Sequence, residues 1–311
     1  MTVRQTILRC VPTGTGSRPS DVVSHVRFLW KLVVITGALL LAACGADYRE
    51  VTTGEPPPPA SGDQHPGDRD AVVLSITDVG GFVPSDRTFT NVPRLLVTGD
   101  GRVIQEGPVI AIYPGPLLPN LLQRSITEAG IQRLIDLADE HGLLGDETYT
   151  QPGNIADASE TIVTITVNGE TFEHRAYALG LVGGPDGGET DTPRARLFDF
   201  VVAAMDLASD PAADEIGPEE PYRTDSYLIR ALEAETTEPT GDAPIDIEPT
   251  LVDWPSDAPV RLAAAAECAE VPTNRFAQLF EDANQLTRFV DDGVAYSLAV
   301  TPRVPGRSCS P

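Results

Sequence analysis

The stretch "ETIVTITVNGETFEHRAY", residues 160–177, constrains the fold more than any other part of the chain. Apolar and polar residues alternate on both sides of Asn168-Gly169, a pair suited to a two-residue turn with positive φ. If that turn closes a hairpin, Val167 opposes Glu170, Ile165 opposes Phe172 and Val163 opposes His174. Side chains in a strand alternate between faces. Val163, Ile165, Val167, Phe172, His174 and Ala176 therefore share one face, and Thr164, Thr166, Thr171 and Glu173 take the other. One side is predicted buried and one wet, as in an antiparallel sheet packed on a core. Asp100-Gly101 and Asp292-Gly293 sit between similar strand-like runs and predict two more tight hairpins.

Between the hairpins the period changes. Ile131, Leu134, Ile135 and Ala138 fall at i, i+3, i+4 and i+7, as do Leu197, Phe200, Val201 and Ala204, and Phe276, Leu279, Phe280 and Ala283. Each set is one apolar stripe of an amphipathic helix. Ser125 and Glu128 have capping-box spacing before the first helix, and Gly142 follows it. Thr192 and Pro193 stand at the cap and first position of the second.

Hairpins with helices between them predict an α+β fold, with antiparallel hairpins and amphipathic helices on one face. Residues 70–208 read as strand, hairpin, helix, hairpin, helix. Residues 222–311 read as a strand over 227–235, an irregular loop with Trp254-Pro255, a helix and a hairpin. "SDPAADEIGPEEP", 209–221, is rich in Pro and acid and predicts the boundary between two small α+β domains. Residues 44–69 carry Pro56 to Pro59 among small and polar residues. Such a segment buries too little to fold, and it predicts a disordered, Pro-rich tether.

The apolar run ahead of the tether gives the location. Arg27 and Lys31 precede Leu32 to Leu41, and small residues lead to Cys44. That is the order of a secretory signal, and the run is shorter than the roughly 20 residues a spanning helix needs. Leu41-Ala42-Ala43-Cys44-Gly45 resembles the lipobox of bacterial lipoproteins. The resemblance implies that Cys44 is lipidated, that residues 1–43 are a leader with the signal peptide at 26–43, and that the chain sits on the extracytoplasmic face of the cell membrane. It implies palmitate-type acyl chains as the anchor. Residues 1–25 have no periodic apolar face, and Val26 is read as an alternative start to Met1.

The whole chain has 22 basic and 46 acidic residues. The first 43 residues hold five of the basic and one of the acidic, which leaves 17 against 45, a net charge of −28. The one lysine, Lys31, lies in the leader. Arg in place of Lys, with abundant Ala, Gly, Pro, Val and Asp, resembles lipoproteins of actinobacteria, a resemblance that implies no activity. A charge of this sign excludes nucleic-acid partners, which need clustered cations on the phosphate backbone. The membrane is reached through the lipid on Cys44 rather than by electrostatic adhesion. Once Cys10 is removed and Cys44 lipidated, Cys268 and Cys309 are the remaining thiols. Export places them where oxidation persists, and they are expected to form a disulfide.

Motifs for chemistry are sparse. The absence of HExxH and of His pairs at metal spacing predicts no metal and no cofactor. Gly-x-Ser-x-Gly is absent, and a lysine-dependent nucleophile or phosphate loop is impossible downstream of Lys31. His65 falls in the tether. His141 falls in the last turn of the first helix, where a cation suits the dipole. His174 falls on the apolar face of the hairpin, the place of a hydrogen-bonded core-edge histidine. Asp157, in "NIADASET" just before a predicted strand, is a candidate carboxylate for acid–base chemistry, with a loop cap as the default reading. The Gly-rich segment "GLVGGPDGGETD" offers Asp186 and Asp191 as a candidate ligand loop. The expected function is a lipid-anchored cell-envelope protein that binds or scaffolds without chemistry, its protein or envelope partner unknown. The alternative is an exported hydrolase that uses carboxylates and His174.

Overall fold

The computed structural model of the chain describes residues 64–181, 192–209, 216–234 and 248–309. The fold is α+β, with two largely antiparallel sheets. The first sheet takes its strands from β1 (Val72–Gly80), β2 (Leu95–Thr98), β3 (Arg102–Glu106), β4 (Leu121–Ser125), β5 (Ser159–Val167), β6 (Glu170–Tyr177) and β7 (Glu220–Pro221). Their order is β6-β5-β1-β2-β3-β4-β7. Helices α1 (Ser85–Thr90), α2 (Glu128–Glu140) and α3 (Thr192–Ser209) lie in its connections.

The hairpin around Asn168-Gly169 has the expected register: Val167 pairs with Glu170, Ile165 with Phe172 and Val163 with His174. Asn168 and Gly169 both take positive φ, 54° and 76°, as this turn requires. Val163, Ile165, Val167, His174 and Ala176 are buried. They pack with Ile131, Leu134, Ile135 and Ala138 of α2 and with Leu197, Phe200, Val201 and Ala204 of α3. Both predicted helical stripes thus cover one face of the sheet.

Local details differ from the sequence expectation. The turn at Asp100-Gly101 has three residues, 99–101, because β2 ends at Thr98 and β3 begins at Arg102. Only Gly101 of Asp100-Gly101 takes positive φ. The Thr98 and Asp100 side chains close the loop: Thr98 donates to Asp100 and Arg102 Nε reaches both Asp100 oxygens. Ser125 does not cap α2, since it still belongs to β4; Thr127 does so, accepting from Gly130 N at 3.3 Å. Residues 64–69, expected in the disordered tether, lie against the sheet. Gln64 and Asn168 exchange two hydrogen bonds at 2.9 and 2.6 Å, and His65 Nε2 stands 3.0 Å from both Glu128 carboxylate oxygens. The expectation failed there because composition cannot register the backbone edge that the Asn168 turn offers.

The second sheet is formed by β8 (Ser226–Glu233), β9 (Leu251–Asp253), β10 (Ala269–Pro272), β11 (Arg288–Asp291) and β12 (Val294–Pro302), in the order β10-β8-β12-β11-β9. β9 runs parallel to β11. The tight turn at Asp292-Gly293 joins β11 to β12, with φ of 49° and 81°. Helix α4 (Thr273–Glu281) buries Phe276 and Phe280. Trp254 follows β9 and is buried between these rings, 4.9 Å from Phe276 and 6.3 Å from Phe280. Cys268 and Cys309 stand at disulfide distance, their Cα atoms 5.4 Å apart.

The two sheets touch. Val304, beyond β12, packs with Val92, Leu96, Ile104 and Leu121 on the face of the first sheet away from α2 and α3. Arg230 of β8 pairs with Asp86 of α1 at 2.7 Å. The guanidinium groups of Arg230 and Arg307 both stand over the Phe89 ring of α1, 5.3 and 5.6 Å from its centre.

Candidate functional site

His174 is the residue that an enzymatic reading needs most, and the fold closes it off. It is 1% exposed. Its Nε2 stands 2.8 Å from the Leu143 carbonyl, and its Nδ1 stands 2.8 Å from the Tyr149 hydroxyl. A carbonyl only accepts, so Nε2 carries the proton, and in the neutral ring Nδ1 accepts from the phenol. Burial pushes the Tyr149 phenol well up, with the Glu147 carboxylate adding to the shift, so the hydroxyl remains a donor. His174 therefore clamps the 143–149 loop, which follows α2, onto β6. Both ring nitrogens are used.

The other predicted candidates are scattered. His141 is the C-cap of α2, its ring edge-on to Phe200 at 6.2 Å. Asp157 is exposed, with φ of 57°, in the loop before β5. Cys44, Asp186 and Asp191 lie outside the described residues. Among the described residues no group of three His, Cys, Asp or Glu side chains is placed to hold a metal ion. No described helix is long and apolar enough to cross a membrane.

A feature the sequence reading passed over lies at one end of the first sheet. β1 pairs with β2 only as far as Ile76–Leu95, while its pairing with β5 continues to Gly80–Ser159. β1 therefore outruns β2, and residues 77–80 have a strand neighbour on one side only. A groove of about 420 Å³ runs beside this stretch, lined by Asp78, Val83, Arg87, Asn91 and Glu106 among others. That volume is within the range of ligand pockets. The Asn91 amide donates to the Asp78 carbonyl at 2.6 Å and so occupies part of the open edge.

Exposed apolar side chains crowd the same end. Antiparallel pairing places the ends of β1, β3 and β6 together with the starts of β2, β4 and β5. From these ends come Phe82 at 92% exposure, Ile110 at 71% and Ile112 at 60%, with Val83, Val109, Tyr113 and Leu181. Isolated exposed apolar residues need no explanation; here several belong to loops that leave one end of the sheet. The signal was present in "GPVIAIYPG", 107–115: five consecutive apolar residues, 109–113, bounded on each side by Gly and Pro. Residues 64–69 lie at the opposite end of the sheet, beside the 168–169 turn.

Compared with known proteins, the chain matches no protein-family model, no curated protein and no solved structure.

Proposed function

We propose that the chain is a lipid-anchored protein of the cell envelope, held through Cys44, which binds a protein partner and performs no chemistry of its own. The observation that carries the binding half is the apolar loop end, Phe82–Val83 and Val109–Tyr113, set beside an open strand edge and a groove. It lies at the far end of the sheet from residues 64–69, the described residues nearest Cys44 in the chain. The anchoring half rests on the order of charge, apolar run, small residues and cysteine over 27–44. The pairing of Cys268 with Cys309 supports an oxidising compartment. The hydrolase alternative loses support, because His174 is sealed between Tyr149 and Leu143.

Two variants test the two halves separately. Cys44→Ser is expected to release the protein from the membrane fraction, since stable anchoring needs the lipid; a variant that still fractionates with membranes rejects the anchor. Ile110→Asp with Ile112→Asp is expected to leave the fold intact and to abolish site-specific photocrosslinks formed from position 109 in intact cells. Crosslinks that persist unchanged reject the loop end as the binding surface.

A further inference from the structure

A second cavity, away from the loop end, gathers cations in a chain that has few. Arg69, Arg102, Arg223 and Arg303 line a space of about 80 Å³, with the Tyr222 and Thr224 side chains in its wall. Acids outnumber bases 46 to 22, and most of the described arginines stand beside a carboxylate. Arg94, Arg124, Arg175, Arg196, Arg230, Arg261 and Arg275 all have one within 3.4 Å. Among the described residues the Arg69 and Arg223 side chains have no hydrogen bond or ion pair, and both face this one cavity.

The other two arginines are braced. Arg102 is held by Asp100 and Asp70 at 3.0 and 2.9 Å and also donates to the Arg69 carbonyl. Arg303 Nε reaches Ser226 Oγ at 3.1 Å and Glu270 at 3.4 Å, which leaves its two terminal nitrogens without a described partner. The Tyr222 and Thr224 hydroxyls both donate to the Arg303 carbonyl at 2.9 Å and fix that wall. Two carboxylates, Asp70 and Asp225, also line the space; Asp70 and Asp100 are spent on Arg102 and Glu270 on Arg303, which leaves Arg69 and Arg223 facing Asp225.

We propose that this cavity is a binding site for a phosphate-type oxyanion. The Arg69 and Arg223 guanidinium groups and the terminal nitrogens of Arg303 supply donors with no carboxylate on them among the described residues. Guanidinium groups present forked N–H donors that match the oxygens of such an anion. The volume of about 80 Å³ equals about two to three waters at ~30 Å³ each, which suits one tetrahedral anion or the head of a larger molecule. The wall comes from four places in the chain: the segment before β1, the start of β3, the β7–β8 connection and the exit of β12. A bound anion therefore ties parts of both sheets together and stabilises the fold by mass action. The anion is either a free ion or the phosphate of a lipid headgroup; the second source rests on the lipid-anchor reading, the first does not.

The test uses the full chain and two probes at constant ionic strength made up with sodium chloride. One is inorganic phosphate, the other dihexanoyl phosphatidic acid below its micelle concentration, each followed by calorimetric titration and melting temperature. Saturable binding of either probe, weakened about ten-fold by Arg223→Gln and by Arg69→Gln, is the expected result, as for loss of one charge-assisted hydrogen bond each. Asp225→Asn is expected to tighten binding a few-fold, and Arg175→Gln on β6 to leave it unchanged. Both substituted arginines are exposed and unpaired, so circular dichroism should report an unaltered fold. Binding of both probes identifies a free oxyanion as sufficient, and binding of the lipid phosphate alone identifies the headgroup as the source. Absence of saturable binding by both, or binding indifferent to Arg69→Gln and Arg223→Gln, overturns the site.

Discussion

The two sheets solve the same problem with different side chains. The first has seven strands and two helices on its covered face, and its core is aliphatic: Val73, Leu74, Ile76, Leu95, Val163, Ile165 and their helical partners, with Phe200 the one buried aromatic. The second has five strands and one α-helix, and its core is built from Tyr227, Trp254, Phe276, Phe280, Phe289 and Tyr296. A small sheet with one covering helix has few core positions, so each must bury more area. Aromatic side chains bury 150–250 Å² each and gain further from edge-to-face contacts. Phe280 makes such contacts with Tyr227 at 5.3 Å and Phe289 at 6.2 Å. The Cys268–Cys309 pair closes the tail of the smaller sheet; the described cysteines of the chain are both there. Fewer positions are thus offset by larger side chains and a covalent link.

Phe280→Ala should break this comparison hardest. It removes the ring at the centre of the aromatic cluster and costs about 3–5 kcal/mol. Trp254 lies in the second sheet and Trp30 in the predicted leader, so fluorescence of the leaderless protein reports the second sheet by itself. Hydrogen exchange of β5 reports the first. Loss of the fluorescence transition with β5 protection retained means that the sheets fold separately; loss of both together means one cooperative unit, joined through Phe89, Arg230 and Val304.

Reduction of the Cys268–Cys309 link should rank next, with about 2–4 kcal/mol lost from a loop of 41 residues. Denaturant midpoints of Cys268→Ser/Cys309→Ser, read from Trp254 fluorescence, check it. A midpoint unchanged from the native protein removes the covalent half of the comparison.

His174→Phe probes the first sheet. It replaces the imidazole by a somewhat larger apolar ring and leaves the Tyr149 hydroxyl and the Leu143 carbonyl without their partner, at about 1–3 kcal/mol with a further cost where the buried site must widen. The expected signature is a lower melting temperature with faster exchange over the loop that follows α2. A full loss of stability without such local loosening contradicts the clamp.

The smallest effect concerns acid. Burial raises the Asp100 carboxyl, but hydrogen bonds from Thr98 and Arg102 outweigh it and leave the group below its ordinary value. A carboxyl with a depressed folded value contributes stability that is present above its unfolded pKa and is lost as pH falls through the folded one. Asp100→Asn should therefore lower stability near neutral pH by a fraction of a kcal/mol, about the worth of an exposed pair. The difference from the native protein should shrink toward pH 3. A difference that is constant with pH assigns the effect to turn geometry alone.

The sequence by itself determined the local frame of both halves. The period-2 pattern around Asn168-Gly169 set the register and the buried face, because a slip of one residue would have sent Val163, Ile165 and Val167 into water. The i, i+3, i+4 stripes set which faces of α2, α3 and α4 point inward, because a helix must bury its apolar side. Tertiary structure decided what has no local signature. The parallel pairing of β9 with β11 joins three residues to a strand more than thirty positions away, and no short-range pattern encodes it. Trp254, read as part of an irregular loop, became core because three rings from α4 and β11 surround it. His174 lost its candidacy for chemistry only when the 143–149 loop came back over it. The arginine cavity was hidden, since it is assembled from segments that meet only in the folded chain, whereas the loop end had one legible part, the apolar run at 109–113. A pattern in sequence fixes which way a side chain faces; which side chains then face each other depends on contacts between residues distant in the chain.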